Sequence, residues 1–327
     1  MGAAGNVSVI MTCHNEAAFI EQAIKSVTAQ TAYGRVSEII VVNDGSTDQS
    51  QSILEGLAHE IGKLKVLKAS GIGPSAARNM ALAEATGDFI AILDGDDLWT
   101  PDKLERQLPA LESDPGVGLV YGDFHAFSAA DRSDATVVHV RRFGPHTKDL
   151  LKSFFLEGGP VVPSSVILRR KIFDEVGSFD PSLRLNEDAD MFLRVAERWA
   201  FQHVPGVHLY KREHGRNLTA RIDTQLPVAE LITARFVARN PELAEVAGKR
   251  MARRYGRAGG DCLAKGERVT GLGYCVKALR LDPLLWYVYP MFLLAILPRH
   301  AGVRLRSLAR RILRTRQATP TRPSNSF

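Results

Sequence analysis

The chain of 327 residues has only three cysteines, Cys13, Cys262 and Cys275, an odd number at distances that match no zinc-ligand spacing. This excludes a disulfide framework and points to a reducing, cytosolic setting. The N-terminal Met1-Gly2-Ala3-Ala4-Gly5-Asn6 has no basic segment ahead of its short apolar run, so no signal peptide is expected. The longest apolar run, Leu284 to Leu297, is interrupted by Pro290 and falls short of the ~20 residues a membrane span needs. It reads as a core or interfacial helix. Acid is also missing from one place: residues 299–327 hold eight arginines and no Asp or Glu. The chain's net charge of +6 therefore belongs to its end, and the body is slightly acidic. No nucleic-acid footprint is left in that body.

Several strand-length apolar segments are present, and each of three ends in a polar cluster. Val7–Thr12 runs into Cys13-His14-Asn15-Glu16, Glu38–Val42 into Asn43-Asp44-Gly45-Ser46-Thr47-Asp48, and Phe89–Leu93 into Asp94-Gly95-Asp96-Asp97. Amphipathic helical patterns separate the strands, and Asn15 is placed to cap the first of them. This β-α alternation predicts a mostly parallel sheet with helices on both faces. Clusters that follow parallel strands converge on the carboxyl edge, where open α/β sheets place their ligands. Residues 125–160 read as a loop-rich insert, 165–168 as a strand, and 210–217 as a loop carrying His214. Everything beyond about 226 is helical in pattern. The expected division is a domain over 1–225, a helical region over 226–298 and a basic amphipathic tail over 299–327.

An Asp-x-Asp pair, Asp94 and Asp96, suits a hard divalent cation shared with substrate phosphates. The same residues would equally form a tight Asp/Gly turn. Asp44 could accept hydrogen bonds from a base or ribose, or simply shape the turn at Gly45. Arg78 and Asn79 enter a helix from the glycine loop Gly71-Ile72-Gly73. Glu187 and Asp188 open another helix, where acids are favoured by the macrodipole and where one could act as a general base.

Taken in order, these segments resemble family 2 glycosyltransferases, the inverting group with the GT-A fold. The resemblance rests on Val7–Thr12 with Asn15-Glu16, Val42–Asp48, Ala76-Ala77-Arg78-Asn79, Leu93–Trp99 with Pro101-Asp102, Gly177-Ser178-Phe179-Asp180, and Glu187–Asp190 with Arg194. It covers about Val7 to Asn217. It implies a GT-A-like α/β fold, a nucleoside-diphosphate sugar as donor and a divalent metal, Mn or Mg. Thr12, Glu16 and Asp44 would contact the nucleoside, Arg78 would lie near the nucleotide-sugar, and Asp94 would touch ribose or sugar. Asp96 would be the main metal ligand, with His214 at a position that can approach the metal or diphosphate, and Asp188 would be the catalytic base. Asn43, where many members have a second Asp, and His14, where aromatics are common, depart from the pattern.

The acceptor expected is a saccharide or a lipid-linked saccharide. Leu305, Leu308, Ala309, Ile312 and Leu313 share one helical face in the arginine-rich tail, which suits the anionic inner face of a membrane as partner. Two other readings remain. A nucleotidyltransferase would carry a basic glycine loop after the first strand, and Cys13-His14-Asn15-Glu16 stands there instead. A non-catalytic nucleotide-sugar-binding or membrane scaffold protein would not need both acidic pairs.

Overall fold

The computed structural model describes residues 5–144, 147, 149–157, 161–214 and 225–296. The chain divides into two units, one of Met1–Phe154 and Gly159–Gly215, the other of Phe155–Gly158 and Arg216–Phe327. The basic tail lies outside the described residues.

The first unit is built on one nine-stranded sheet. Its strands are β1 (Val7–Cys13), β2 (Val36–Asp44), β3 (Leu64–Ala69), β4 (Phe89–Asp94), β5 (Leu98–Trp99), β6 (Val117–Phe127), β7 (Thr136–Val138), β8 (Ile167–Arg169) and β9 (Ala200–Arg212). The order across the sheet is β3-β2-β1-β4-β8-β6-β9-β5, with β7 on the outer part of β6. Strands β1 to β4 are parallel. The short β8 runs antiparallel to both β4 and β6, so β6 and its parallel neighbour β9 point the same way as β4. This is the expected mostly parallel, GT-A-like arrangement. The apolar runs of β1, β2 and β4 are buried on both faces, as a sheet covered by helices requires.

Seven helices serve this unit: α1 (Ile20–Thr28), α2 (Ser50–Glu60), α3 (Pro74–Glu84), α4 (Lys103–Ser113), α5 (Leu150–Glu157, whose last residues count with the second unit), α6 (Lys171–Val176) and α7 (Glu187–Ala196). Asn15 does not cap α1, which begins five residues later. Asn15 takes up φ 58 instead, and its side-chain oxygen accepts the Thr47 N–H at 2.7 Å, tying the loop after β1 to the loop after β2.

Three regions differ from the sequence reading. The 13-residue β9 carries no strand signal because Pro205-Gly206 interrupts it and histidines occupy buried positions; three register shifts in its pairing with β6 absorb the irregularity. The segment 125–160, read as loop, contains the end of β6, then β7 and α5. Residues 165–168 also begin later than expected, since Pro163–Ser165 form a 3-10 turn ahead of β8.

The second unit is helical: α8 (Leu226–Arg239), α9 (Ala244–Lys265), α10 (Arg268–Leu281) and α11 (Tyr289–Ile296). Its core gathers Ala252, Leu263, Cys275, Ala278, Leu285, Val288 and Met291. A Cβ at Gly259 would come within 2.8 Å of Cys275 Sγ, so glycine is what lets α9 and α10 approach.

Candidate active site

The three polar clusters meet at the carboxyl edge of the sheet. Register places Thr12 of β1 directly beside Asp94 of β4 and, on its other side, beside Val42 of β2. Gly45, at φ 71, brings its backbone against Gly71, and a Cβ there would sit 2.9 Å from the Gly71 nitrogen. Asp44 then closes the glycine loop. Its carboxylate accepts the N–H groups of Gly71 and Ile72 on one oxygen and that of Gly73 on the other, at 2.7–2.8 Å. His14 Nδ1 lies 2.6 Å from the Asp44 carbonyl oxygen.

At the end of β4 the balance is reversed. Glu16, Asp94, Asp96 and Asp97 crowd around Gly95, where a Cβ would collide with Glu16 Oε2. That oxygen is buried and has no hydrogen-bond partner. Burial, with Asp96, Asp94 and Asp97 nearby, pushes the Glu16 carboxyl well above its usual range. Burial and the Asp94 charge raise Asp96 to about 6. Asp97, almost fully enclosed, rises to about 7, chiefly through desolvation.

The cations answering this excess come from β9, which the sequence reading missed. Lys211 is held protonated by Asp97 above all. The Arg212 backbone N–H donates to Asp97 Oδ1 at 2.9 Å and its Nε to the Asp96 carbonyl at 3.0 Å. The Arg212 guanidinium lies over Phe19 at 4.5 Å and Phe127 at 4.6 Å. Asp97, for which the sequence suggests no role, is thus the acceptor that fixes the end of β9. His214 follows two residues later. Its Nε2 stands 2.9 Å from Asp96 Oδ2, and its ring stacks on Phe19. The two residues expected to hold a metal are therefore in contact across 118 positions of sequence.

Arg78 joins the strand-end acids to the downstream pair. From α3, Nη2 donates to Asp94 Oδ1 at 2.8 Å and Nη1 to Glu187 Oε1 at 2.5 Å, and the Arg78 side chain is buried. Next to it, Asn79 exchanges hydrogen bonds with Phe179 in both directions, at 2.8 and 2.9 Å. This fastens the Gly177–Asp180 turn to α3, while Arg194 donates to the Val176 and Ser178 carbonyls and pairs with Asp190. Asn186 adopts φ 55 at the entry of α7. Asp188 stands half-buried in the first turn, raised to about 6 by desolvation and the neighbouring Glu187 against the pull of Arg78.

Ser164, also unforeseen, braces the floor. Its hydroxyl accepts the Asp94 N–H at 3.1 Å, and its carbonyl accepts Trp99 Nε1 at 2.9 Å. Adjacent Ser165 offers its carbonyl to the wholly buried Lys103 at 3.0 Å.

With respect to a metal, no cage of three or more His, Cys, Asp or Glu occurs among the described residues. Asp96 with His214 fits a site of another kind, in which one or two protein groups are completed by substrate phosphates. The Glu16 oxygen without a hydrogen-bond partner and the raised carboxyls beside it show that burial and mutual repulsion disfavour charge on the acids of this corner.

The model of Glycosyl transferase family 2 matches residues 8–177, more than half of the chain. The chain belongs to this family. Among its relatives is an uncharacterized glycosyltransferase of Nostoc sp., 33% identical over 217 residues, 64% of this chain and 66% of the relative. Another is the succinoglycan biosynthesis protein ExoU of Rhizobium meliloti, 31% identical over 203 residues, 58% of this chain and 56% of that one. The chain thus matches about two thirds of the first relative's length and just over half of the second's. Among solved structures, Staphylococcus aureus TarS 1–349 in complex with UDP-GlcNAc superposes with a TM-score of 0.60 at 16% identity, covering 94% of this chain and 92% of that one. At that identity the likeness is one of fold.

Proposed function

We propose that this chain is an inverting glycosyltransferase that moves a sugar from a nucleoside-diphosphate sugar to an acceptor hydroxyl. The observation that carries the reading is the Arg78 bridge: one guanidinium holds Asp94 at the end of β4 and Glu187 beside Asp188. It gathers a diphosphate end and a base into a single site.

Asp188 removes the proton from the acceptor hydroxyl. That oxygen attacks the anomeric carbon, the bond to the diphosphate breaks on the opposite side, and configuration inverts. A carboxyl raised to about 6 is still ionised at neutral pH and is a stronger base than an ordinary aspartate. Asp96 and His214 would hold a Mn or Mg ion, which supplies charge neutralisation on the diphosphate. Thr12, Glu16 and Asp44 line the nucleoside side. Asp44 does so through the glycine loop that it closes, and Asp94 is steadied for ribose or sugar by Arg78. UDP is the favoured nucleoside diphosphate, supported by the fold neighbour's complex with UDP-GlcNAc. The relative in succinoglycan biosynthesis supports a saccharide or lipid-linked saccharide acceptor.

Asp188→Asn tests the reading. Transfer should vanish while donor binding, followed by metal-dependent thermal stabilisation with UDP-sugars, stays intact; turnover like that of the unsubstituted chain would sink the assignment. The anomeric configuration of the product, read by NMR, tests inversion separately.

A further inference from the structure

The core-facing side of α1 is filled by Ile20, Ala23, Ile24 and Val27, all buried. Phe19, one residue ahead of the helix, stands apart from them. It is half-buried, and its backbone N–H donates to the Glu16 carbonyl at 2.8 Å, in the turn that leads out of the loop after β1. Its ring meets two side chains from the far end of β9. The His214 imidazole stacks on it, with ring centroids 5.3 Å apart and planes 24° from parallel. The Arg212 guanidinium lies 4.5 Å from the ring centroid.

The place where β9 ends explains why His214 uses such a partner. The Glu213 N–H donates to the Phe127 carbonyl at 2.7 Å, and His214 stands one residue beyond that rung. An imidazole turns about a broad, soft torsion. A second ring laid against it fixes its plane, and with it the direction in which Nε2 points, here toward Asp96 Oδ2 at 2.9 Å. Arg212 fixes Phe19 in turn. Its guanidinium lies over both Phe19 and Phe127, its Nε donates to the Asp96 carbonyl at 3.0 Å, and its Nη2 donates to Gln22 Oε1 on α1 at 3.1 Å. The ring that holds His214 is thus tied to the backbone of the residue whose carboxylate His214 meets.

We propose that Phe19 is a positioning residue for the metal: its ring sets the His214 imidazole so that Nε2 and Asp96 Oδ2 converge on one ion. The inference rests on the assignment of Asp96 and His214 to that ion. Groups that fix the ring plane of a ligating histidine matter to the metal almost as much as the ligands, and losing one commonly weakens binding by about 10–100-fold. Phe19 does this by stacking, where a hydrogen bond is the usual means. It touches neither ion nor sugar, so its whole effect passes through His214. That property separates it from an ordinary packing residue.

Mn²⁺ binding can be read from the loss of the free-ion EPR signal, with saturating UDP present to complete the site. Phe19→Leu keeps an apolar side chain and removes the flat face; it should weaken Mn²⁺ about tenfold. Phe19→Tyr keeps the ring and should bind like the unsubstituted chain. If Phe19→Leu melts early, Phe19→Met replaces it with the same expected direction. In a His214→Ala background Phe19→Leu should cost nothing more, because the side chain it orients is gone. Transfer assays should show a raised apparent KM for Mn²⁺ with kcat recovered at saturating ion. Unchanged Mn²⁺ affinity in Phe19→Leu, or a loss of the same size without His214, would overturn the proposal and leave the metal assignment standing. Mn²⁺ binding that is absent from the unsubstituted chain, or unaffected by both His214→Ala and Asp96→Asn, would remove the metal assignment and the positioning role with it.

Discussion

Two aspartates at the ends of strands flanking β1 look alike in sequence, each followed by glycine, and differ entirely in what surrounds them. Asp44 on β2 is given three backbone N–H donors and spends its charge on closing the Gly71–Gly73 loop. Asp94 on β4 is joined by Asp96, Asp97 and Glu16, and the group is left with an unpartnered buried oxygen and raised carboxyls. The first is a structural carboxylate that shapes a glycine loop. The second is a crowd of carboxyls whose charged forms are disfavoured by burial and by one another. An Asp-Gly pair at a strand end marks a location, and the donors that reach it determine its use.

That contrast can be broken most sharply by Asp96→Asn. Turnover should fall by roughly 10³-fold, since charge stabilisation of a leaving diphosphate is worth several kcal/mol, while the melting temperature should hold or rise because repulsion in the cluster is relieved. A drop in both would erase the distinction. Asp44→Ala should act oppositely, costing about 3 kcal/mol in urea unfolding through three N–H groups that lose a charged acceptor. An unchanged unfolding midpoint would refute the structural role.

Asp188 extends the comparison to an acid at a helix entry. With its carboxyl raised to about 6, the base is ionised above that pH and protonated below it. Transfer should therefore decline on the acid side with an apparent pKa near 6, and Asp188→Glu should move that limb. A flat profile down to pH 5 would assign the base elsewhere. The smallest effect is expected at Ser164→Ala, which removes the acceptor of the Asp94 N–H and should cost about 1 kcal/mol of stability. Loss of that size without any change in donor affinity would show that Ser164 supports the floor only.

Much of the site was legible in the sequence because its acids follow apolar strands. Once the strands are parallel, their ends must share an edge. Asp94, Asp96 and Asp44 could be singled out on that ground alone, while Arg78, inside a helix, came only with the family resemblance. Lys211, Arg212 and Ser164 could not. They stand on a bulged strand and a 3-10 turn that lack apolar periodicity, and they reach the acids through pairings more than 65 residues apart in the chain. Asn15 shows the reverse error: its position suits a cap, and the fold uses its side chain to bind a neighbouring loop.

By itself the sequence determined the parallel core, its polar edge and the concentration of positive charge at the chain's end, because burial pattern and composition are local quantities. Only the tertiary structure decided which carboxylates are satisfied and which are crowded by one another, that His214 meets Asp96, and that Arg78 ties Asp94 to Glu187. The physical reason is that solvation and pairing belong to neighbours in space, and here those neighbours arrive from distant strands.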